Sequence, residues 1–323
     1  SVCAGCSTGC NLRIDHSARA VGGGIPGYTA SDGRIYRTVG RRNVDVNKRW
    51  LCDEGRLCFH TLERWPRLSH SYLGAVEKLN TDLIPLIHER FQSMRKEHGE
   101  NAVAALGSPT NTNEALFLMK KYFKGRVDFR LGSEVDLYQQ RQDDLLRRLD
   151  KHSNTQGALD LGLAGPLNGL TGMREMAEKK QIRAMWLSFH PQLVGDDAPE
   201  IIAELKRLID ALEFSVVSTT HDFEWARKAS VRLPMAAWAE EKGTFTNYAG
   251  RVQITNRAVM PPGSALPLHA YMAEFLAFAD VQVSSDPSAI FDWISRDVPL
   301  YTGLSYDSIG LSGVVPAPAP LEV

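Results

Sequence analysis

The chain lacks the features that would assign it quickly to a class. No apolar run approaches the roughly 20 residues that a membrane-spanning helix needs, so direct membrane insertion is not expected. There is no excess of either charge: 37 Lys and Arg stand against 38 Asp and Glu, a net charge of -1. That balance removes the electrostatic footprint of a nucleic-acid binder. No G-x-x-x-x-G-K-S/T occurs, and in the α/β part of the chain no G-x-G-x-x-G follows a strand, so the common phosphate-cradling loops are missing. Cysteine is scarce, with five in 323 residues and none beyond Cys58. With no secretory segment, a disulfide framework is not expected. His60, His70, His88 and His98 are spread over different elements and form no ligand series.

What cysteine there is lies almost entirely at one end. Cys3-Ala-Gly-Cys6-Ser-Thr-Gly-Cys10 places three thiols in ten residues, and Cys52 answers from Trp50-Leu51-Cys52-Asp53-Glu54-Gly55-Arg56. A [4Fe-4S] cubane needs four thiolates directed at the corners of a tetrahedron, which one short loop and one returning segment can supply. Gly5 and Gly9 stand where the backbone must approach the cluster without a side chain in the way. Backbone N–H groups of such a loop can point at sulfur and offset the cluster's negative charge. Structural zinc is the alternative; its usual division is two paired knuckles rather than three plus one. Cys58 reads as a buried small hydrophobe.

Along the chain, Leu12, Ile14, Ile35, Tyr36 and Val39 mark short strands around the cluster, separated by the turn-prone Gly22-Gly23-Gly24-Ile25-Pro26-Gly27. That glycine run has no helix or Lys-Ser/Thr behind it and reads as a surface loop. From about residue 66 the pattern alternates. Helices are expected over 82–97, 113–123, 172–180, 199–212 and 268–279. Strands are expected over 102–106, 127–131, 182–188, 214–218 and 230–233. Such alternation indicates a parallel sheet with helices on its faces. A hairpin or tight corner is expected near Tyr248-Ala249-Gly250. The fold class is therefore α/β: a small β-rich cluster domain over 1–65, a Rossmann-like domain over 66–280, and an extended, peripheral C-terminal extension over 281–323 that includes Pro316, Pro318 and Pro320. The segment Leu106-Gly107-Ser108-Pro109-Thr110-Asn111 lies where such folds bind ligands.

The cysteine loop, the Trp-Leu-Cys-Asp-Glu-Gly-Arg block and the Glu240-Glu241-Lys242-Gly243-Thr244-Phe245-Thr246-Asn247 block running into Gly250-Arg251-Val252-Gln253 occur in the order found in the molybdopterin oxidoreductase superfamily. With Cys6-Ser7-Thr8-Gly9-Cys10-Asn11-Leu12, Arg42-Asn43 and Val46-Asn47, the chain resembles the large iron-sulfur subunits of bacterial NADH:quinone oxidoreductase, respiratory complex I. The resemblance implies one [4Fe-4S] cluster on Cys3, Cys6, Cys10 and Cys52. It implies an electron-transfer or accessory subunit with no catalytic residue of its own, partnered by a flavin-containing NADH-oxidising subunit. It also implies a cytoplasmic location, peripheral to the inner membrane through partner subunits. The upstream ferredoxin-like region of that family is not in this chain, which opens at Ser1, so a processed product or a fragment is expected.

Two departures separate the chain from the catalytic members. Their lysine between cluster and pterin is replaced by Glu54, and no cysteine beyond Cys58 is present to ligate molybdenum. A reduced molybdopterin-oxidoreductase fold without molybdopterin is expected. The alternatives are a part of a molybdenum or tungsten enzyme of the formate dehydrogenase type, and a scaffold whose cluster only stabilises the fold. Asp53 and Glu54 oppose reduction of the cluster, while Arg13, Arg41, Arg42 and Arg56 favour it if close. Arg42 and Arg56 read equally well as domain-junction salt bridges. The Glu240-Glu241 pair has no matching acid or base, which suggests a capping or interdomain hydrogen-bond role.

Overall fold

The computed structural model describes residues 1–17, 33–131, 142–163, 167–190 and 199–317. The glycine run 22–27 lies outside the described residues, as does the end of the tail. Strands β1 (Leu12–His16) and β2 (Ile35–Gly40) form an antiparallel ribbon, followed by the short helix α1 (Asp53–Leu57) that begins immediately after Cys52. The main sheet opens with an antiparallel hairpin, β3 (Ser71–Leu73) and β4 (Val76–Lys78), which the apolar pattern did not reveal because every β4 residue is exposed.

Helix α2 (Asn80–His98) then leads into β5 (Val103–Leu106), and α3 (Asn113–Tyr122) into the two-residue β6 (Val127–Asp128). The expected strand 127–131 stops at Asp128 because that side chain turns back on the backbone. Its carboxylate accepts from the N–H groups of Phe129 and Arg130, a local bond that competes with the ladder. Next come α4 (Thr155–Asp160), α5 (Gly169–Glu178), β7 (Ala184–Phe189), α6 (Pro199–Ala211), β8 (Phe214–Thr219) and β9 (Val231–Pro234). A hairpin of β10 (Gly243–Thr246) and β11 (Val252–Thr255) follows, with Gly250 at φ +73 in its turn. Helices α7 (Leu268–Phe278), α8 (Pro287–Asp297) and α9 (Tyr306–Ile309) complete the chain.

The seven-stranded sheet runs β4-β3-β9-β8-β7-β5-β6. It is mixed rather than wholly parallel: β9, β8, β7, β5 and β6 are parallel, and the β3-β4 hairpin joins antiparallel at one edge. Strands β7 and β8 are buried throughout, as strands covered by helices on both faces must be. Strand β7 shows the two-residue alternation directly. Ala184 and Trp186 join the core beneath α2, α3 and α7, with Phe91, Phe123 and Phe275, whereas Met185, Leu187 and Phe189 join the core beneath α5 and α6. Residues beyond 280 are not laid on the outside: Phe291, Ile294, Tyr301 and Ile309 enter the same core as α3 and α7. Asp286 caps α8 by accepting from Ser288 N–H, with Pro287 pre-set for the first turn.

Taken in chain order, the five parallel strands stand 2-1-3-4-5 across the sheet. The winding therefore reverses between β5 and β7 and opens a crevice beyond their carboxyl ends. Leu106-Gly107-Ser108-Pro109-Thr110-Asn111 leaves β5 at that crevice, and His190 leaves β7.

Candidate metal centre

The cysteine loop closes on itself before anything else touches it. Cys3 N–H donates to the Cys10 carbonyl at 2.8 Å, Gly9 N–H donates to the Cys6 carbonyl at 3.2 Å, and Val2 bridges Asn11. Gly9 has φ +62, where a side chain is strained, and a Cβ there would stand 2.7 Å from Gln253 Oε1. The loop is then clamped from the β10–β11 hairpin. Gln253 Nε2 donates to the Gly9 carbonyl at 3.0 Å, Asn247 Nδ2 to the Thr8 carbonyl at 3.1 Å, and Tyr248 N–H to the Ser7 carbonyl at 2.9 Å. From a third segment, the Asp150 carbonyl accepts from Ser7 N–H and the Leu146 carbonyl accepts from the Thr8 hydroxyl. The Asn247 and Gln253 positions of the resemblance thus have a physical task in this chain: they hold the cysteine loop.

Cys52 arrives on a separately pinned loop. The buried Asn47 amide donates to the carbonyls of Asn11, Arg41 and Trp50, while its oxygen accepts from Asn11 N–H. Asn43 Nδ2 donates to Asn11 Oδ1 at 2.8 Å and to the Ser312 carbonyl at 2.9 Å. Thr38 Oγ1 secures the following turn on the Gly55 and Arg56 carbonyls, both at 2.8 Å.

Cys3, Cys6 and Cys10 are buried and Cys52 is partly exposed. All four thiols are pushed up. Burial dominates for Cys6, Cys10 and Cys52. Each of these also feels neighbouring cysteine charge, Cys10 that of Cys3, Cys6 and Cys52 together. For Cys3 the hydrogen bond with Cys58 comes first and burial second. Four thiols that repel one another as thiolates are a donor set suited to a cationic iron core. Glycine lies against Cys3 on two sides. A Cβ on Gly55 would stand 3.3 Å from Cys3 Sγ and 2.6 Å from Leu51 Cδ1, and one on Gly5 would stand 3.4 Å from Cys3 Sγ. Gly5 N–H points at Cys3 Sγ across 3.4 Å. The donor set and its glycine-lined cradle fit a cubane. Among the described residues no three His, Cys, Asp or Glu side chains converge as they would on a single ion; a cubane spreads its thiolates over separate irons. Cys58 is buried beside this set, its thiol donating to the Gly55 carbonyl at 3.1 Å.

The charges nearby are arranged differently from the sequence expectation. Glu54 is met by Lys151 Nζ at 2.8 Å, with Arg147 at 3.8 Å. Arg56 turns its Nε to the Leu51 carbonyl rather than to an acid. Arg41 donates to Asn11 Oδ1 and to the Leu311 carbonyl. Glu240 is the member of the acid pair with a structural role: it accepts bidentately from Arg67, both at 2.6 Å, and from Ala237 N–H. Glu241 is buried, and burial followed by the charges of Glu114 and Glu240 pushes its carboxyl well above the usual range.

Lys151 also starts a buried run, Lys151-His152-Ser153-Asn154, that leads from Glu54, close to Cys52, to Asn111 at the crevice. Asn154 donates its N–H to the Pro109 carbonyl and its amide to the Asn111 carbonyl, both at 2.9 Å. Asn111 in turn contacts His190 Nε2 at 3.2 Å and accepts from Ser188 Oγ at 3.0 Å. Burial first, then the charges of His221, His152 and Arg67, lowers His190 to about 3, and burial lowers His221 to about 4. His152 Nε2 and Ser153 Oγ are buried with no hydrogen-bond partner. These histidines are far apart in sequence, come from three segments and carry no spacing signal; only the strand-end position of Asn111 hinted at the crevice.

The comparisons with known proteins agree with this architecture in part. Residues 138–268 match the molybdopterin oxidoreductase family model. The F420-dependent formate dehydrogenase 2 subunit alpha of Methanococcus maripaludis is 36% identical over 128 residues, covering 38% of this chain and 19% of that one. The F420-dependent formate dehydrogenase subunit alpha of Methanocaldococcus jannaschii is 34% identical over 154 residues, or 46% and 22% of the two chains. An NADH-quinone oxidoreductase subunit of Rhizobium meliloti, the G 2 polypeptide, is 27% identical over 204 residues, or 54% and 24%. The matches therefore span about a fifth to a quarter of these relatives' length. The structure of acetylene hydratase from Pelobacter acetylenicus superposes with a TM-score of 0.53 over 95% of this chain and 72% of that one, at 9% identity, a likeness of fold alone. No helix among the described residues is long and apolar enough to cross a membrane.

Proposed function

We propose that the chain is an iron-sulfur electron-transfer or accessory subunit of a complex I-like NADH:quinone oxidoreductase, carrying one [4Fe-4S] cluster on Cys3, Cys6, Cys10 and Cys52 and no molybdopterin. The observation that carries this reading is that four cysteines, delivered by two loops tied together through Asn11, lie near enough for their thiols to feel one another's charge, with Gly5 and Gly55 against Cys3. Bound there, a cluster takes up and gives back one electron at a time. The residues of the chain do the rest. Asn47, Asn247 and Gln253 fix the ligand loops, Leu51, Phe59 and Trp238 pack in one apolar cluster with Cys3 and Cys10, and Gly5 N–H offers a dipole to Cys3. Electrons would come through a separate flavin-containing, NADH-oxidising subunit. Support for the family context comes from the NADH-quinone oxidoreductase relative.

A second reading, part of a molybdenum or tungsten formate dehydrogenase, is favoured by one structural observation and by two relatives. Next to Asn154, which bonds the crevice wall, His152 Nε2 and Ser153 Oγ are buried without a hydrogen-bond partner among the described residues, groups that a bound molecule would satisfy, and the two methanogen relatives are formate dehydrogenase subunits. Metal analysis of the anaerobically purified chain separates the two. Iron and sulfide with no molybdenum, tungsten or pterin is the expected result, and stoichiometric molybdenum or tungsten would replace the first reading with the second.

A further inference from the structure

Charge is divided unevenly between the cluster-bearing residues and the rest. Residues 1–65 carry ten Lys and Arg against six Asp and Glu, a net +4, while 66–323 carry 27 against 32, a net -5. The excess is displayed on the loop that delivers Cys52. Asn43 and Asn47 face inward and are locked by the hydrogen bonds already described, so the residues between and after them must face outward: Arg42, Val44, Lys48, Arg49 and Trp50 are all exposed. Arg42, Lys48 and Arg49 have no carboxylate partner among the described residues. The acids alongside are partly spoken for: Asp45 pairs with Arg251 and Asp143 with Arg147, leaving Asp53 and Asp144.

An apolar surface adjoins these cations. Trp50 is 65% exposed and Leu145 89%. Leu145 is held out by a built turn, in which Asp143 Oδ1 accepts from the N–H groups of Leu145, Leu146 and Arg147. Between Trp50 and Leu145 lies a hollow of about 510 Å³ whose floor includes Leu51, Leu146 and Cys52, the most exposed of the four thiols. An apolar centre with an aromatic anchor and cations alongside is the anatomy of a protein-protein interface. The wall of the hollow carries Lys48 and Asp143, and the loop that bears Trp50 adds Arg41, Arg42 and Arg49 against Asp45, a net positive charge that steers a partner of the opposite sign.

We infer that the Trp50–Leu145 surface over Cys52, with Lys48 on its wall and Arg42 and Arg49 exposed on the same loop, docks an acidic electron-carrier protein whose one-electron centre lies close to its own surface. This rests on the cluster reading above and adds a surface across which the cluster exchanges one electron with a carrier other than the flavin-containing subunit. The loop is preorganised by Asn43 and Asn47, so docking orders little that is not already ordered. Cys52 sits at the foot of the hollow, so the docked centre faces the ligand that water already reaches.

The test uses the full, iron-loaded chain and, as probe, an acidic plant-type [2Fe-2S] ferredoxin, with binding measured by titration at several salt concentrations. The expected result is an affinity that falls as salt rises. It should fall tenfold or more in the Lys48→Glu/Arg49→Glu double variant and about fivefold or more in Trp50→Ser or Leu145→Ser, with iron content and the cluster's paramagnetic signal unchanged in each. Salt-independent binding, no binding by the iron-loaded wild type, or equal affinity in all variants overturns the docking surface and leaves the cluster standing. A dimer in sedimentation that Trp50→Ser dissolves overturns it in favour of a second copy of the chain. A wild type that takes up no iron overturns the cluster reading and the docking surface together.

Discussion

The surroundings of Cys3 and of Trp186 are both buried, yet they are held by different means. Trp186 sits in an apolar core that one face of the sheet forms with α2, α3, α7 and α8, packed edge-on against Phe275 at 5.3 Å, with its indole N–H on Ser218 Oγ. Around Cys3 the apolar cluster is small, and the work passes to asparagine and glutamine amides that tie carbonyls of one loop to another. A large core tolerates the loss of one distant bond, because burial of many side chains carries the stability. A small polar assembly depends on each bond, and the four thiols inside it repel unless a cation stands between them. The sheet should therefore fold without iron, and the cysteine unit should not hold its form without it.

The largest effect expected from this difference is on the sheet side. Trp186→Ala should cost about 3–5 kcal/mol of global stability, read as a lower denaturant midpoint, with little change in iron bound per folded molecule. On the other side, Asn47→Ala removes three donated bonds and one accepted bond. It should cost about 1–3 kcal/mol, but locally: iron is lost while the unfolding midpoint of the sheet stays near wild type. Chelating the iron should do the same, and hydrogen exchange should then rise in 1–12 and 41–58 and stay slow in β7 and β8. Equal exchange in both regions after chelation would erase the distinction.

A smaller effect is expected on acidification. His190 and His221 have folded values of about 3 and about 4, depressed from 6.5 by burial. Below 6.5 the unfolded chain binds protons that the folded chain refuses, so stability is full above that value. It is lost as the pH falls from 6.5 towards 4, at about 1.4 kcal/mol per pH unit for each such group. Glu114, raised to about 7 by burial, works in the opposite direction between 4.5 and 7, since the folded chain keeps its proton longer. Glu241, raised by burial, works with Glu114, and His269, lowered to about 4 by burial, works with the other two histidines; the acid limb of the stability profile should flatten in a His190→Gln/His221→Gln variant. An unchanged slope would remove the histidines from the account. The smallest expected change is electrostatic. Glu54→Lys replaces an acid that Lys151 and Arg147 now compensate by a third cation, and should raise the cluster's midpoint potential by about 60 mV, a tenfold change in the one-electron equilibrium. An unchanged or lower potential in a redox titration followed by paramagnetic resonance would count against it.

The regions also differ in how openly the sequence announces them. Helices α2, α3, α6 and α7 and the buried strands of the parallel sheet follow from apolar periodicity, with boundaries within three residues. The β3–β4 hairpin carries no such pattern, and the entry of Phe291 and Tyr301 into the main core depends on contacts with α3 that no local signal foretells. Glu54 was readable as a neighbour of Cys52; its compensation by Lys151, 97 residues away, was not. The same holds for Asn247 and Gln253, where the residues were conspicuous and their grip on the cysteine loop emerged only from the folded chain.

The central claim is that Cys3, Cys6, Cys10 and Cys52 hold one cubane. The most direct measurement is anaerobic iron and sulfide counting, with paramagnetic resonance of the reduced protein, on the wild type and on Cys52→Ser. About four irons and four sulfides per wild-type chain and a reduced-cluster signal are predicted, with iron depleted or the signal altered in the variant. Stoichiometric zinc without sulfide, or an iron content and signal that Cys52→Ser leaves untouched, would contradict it.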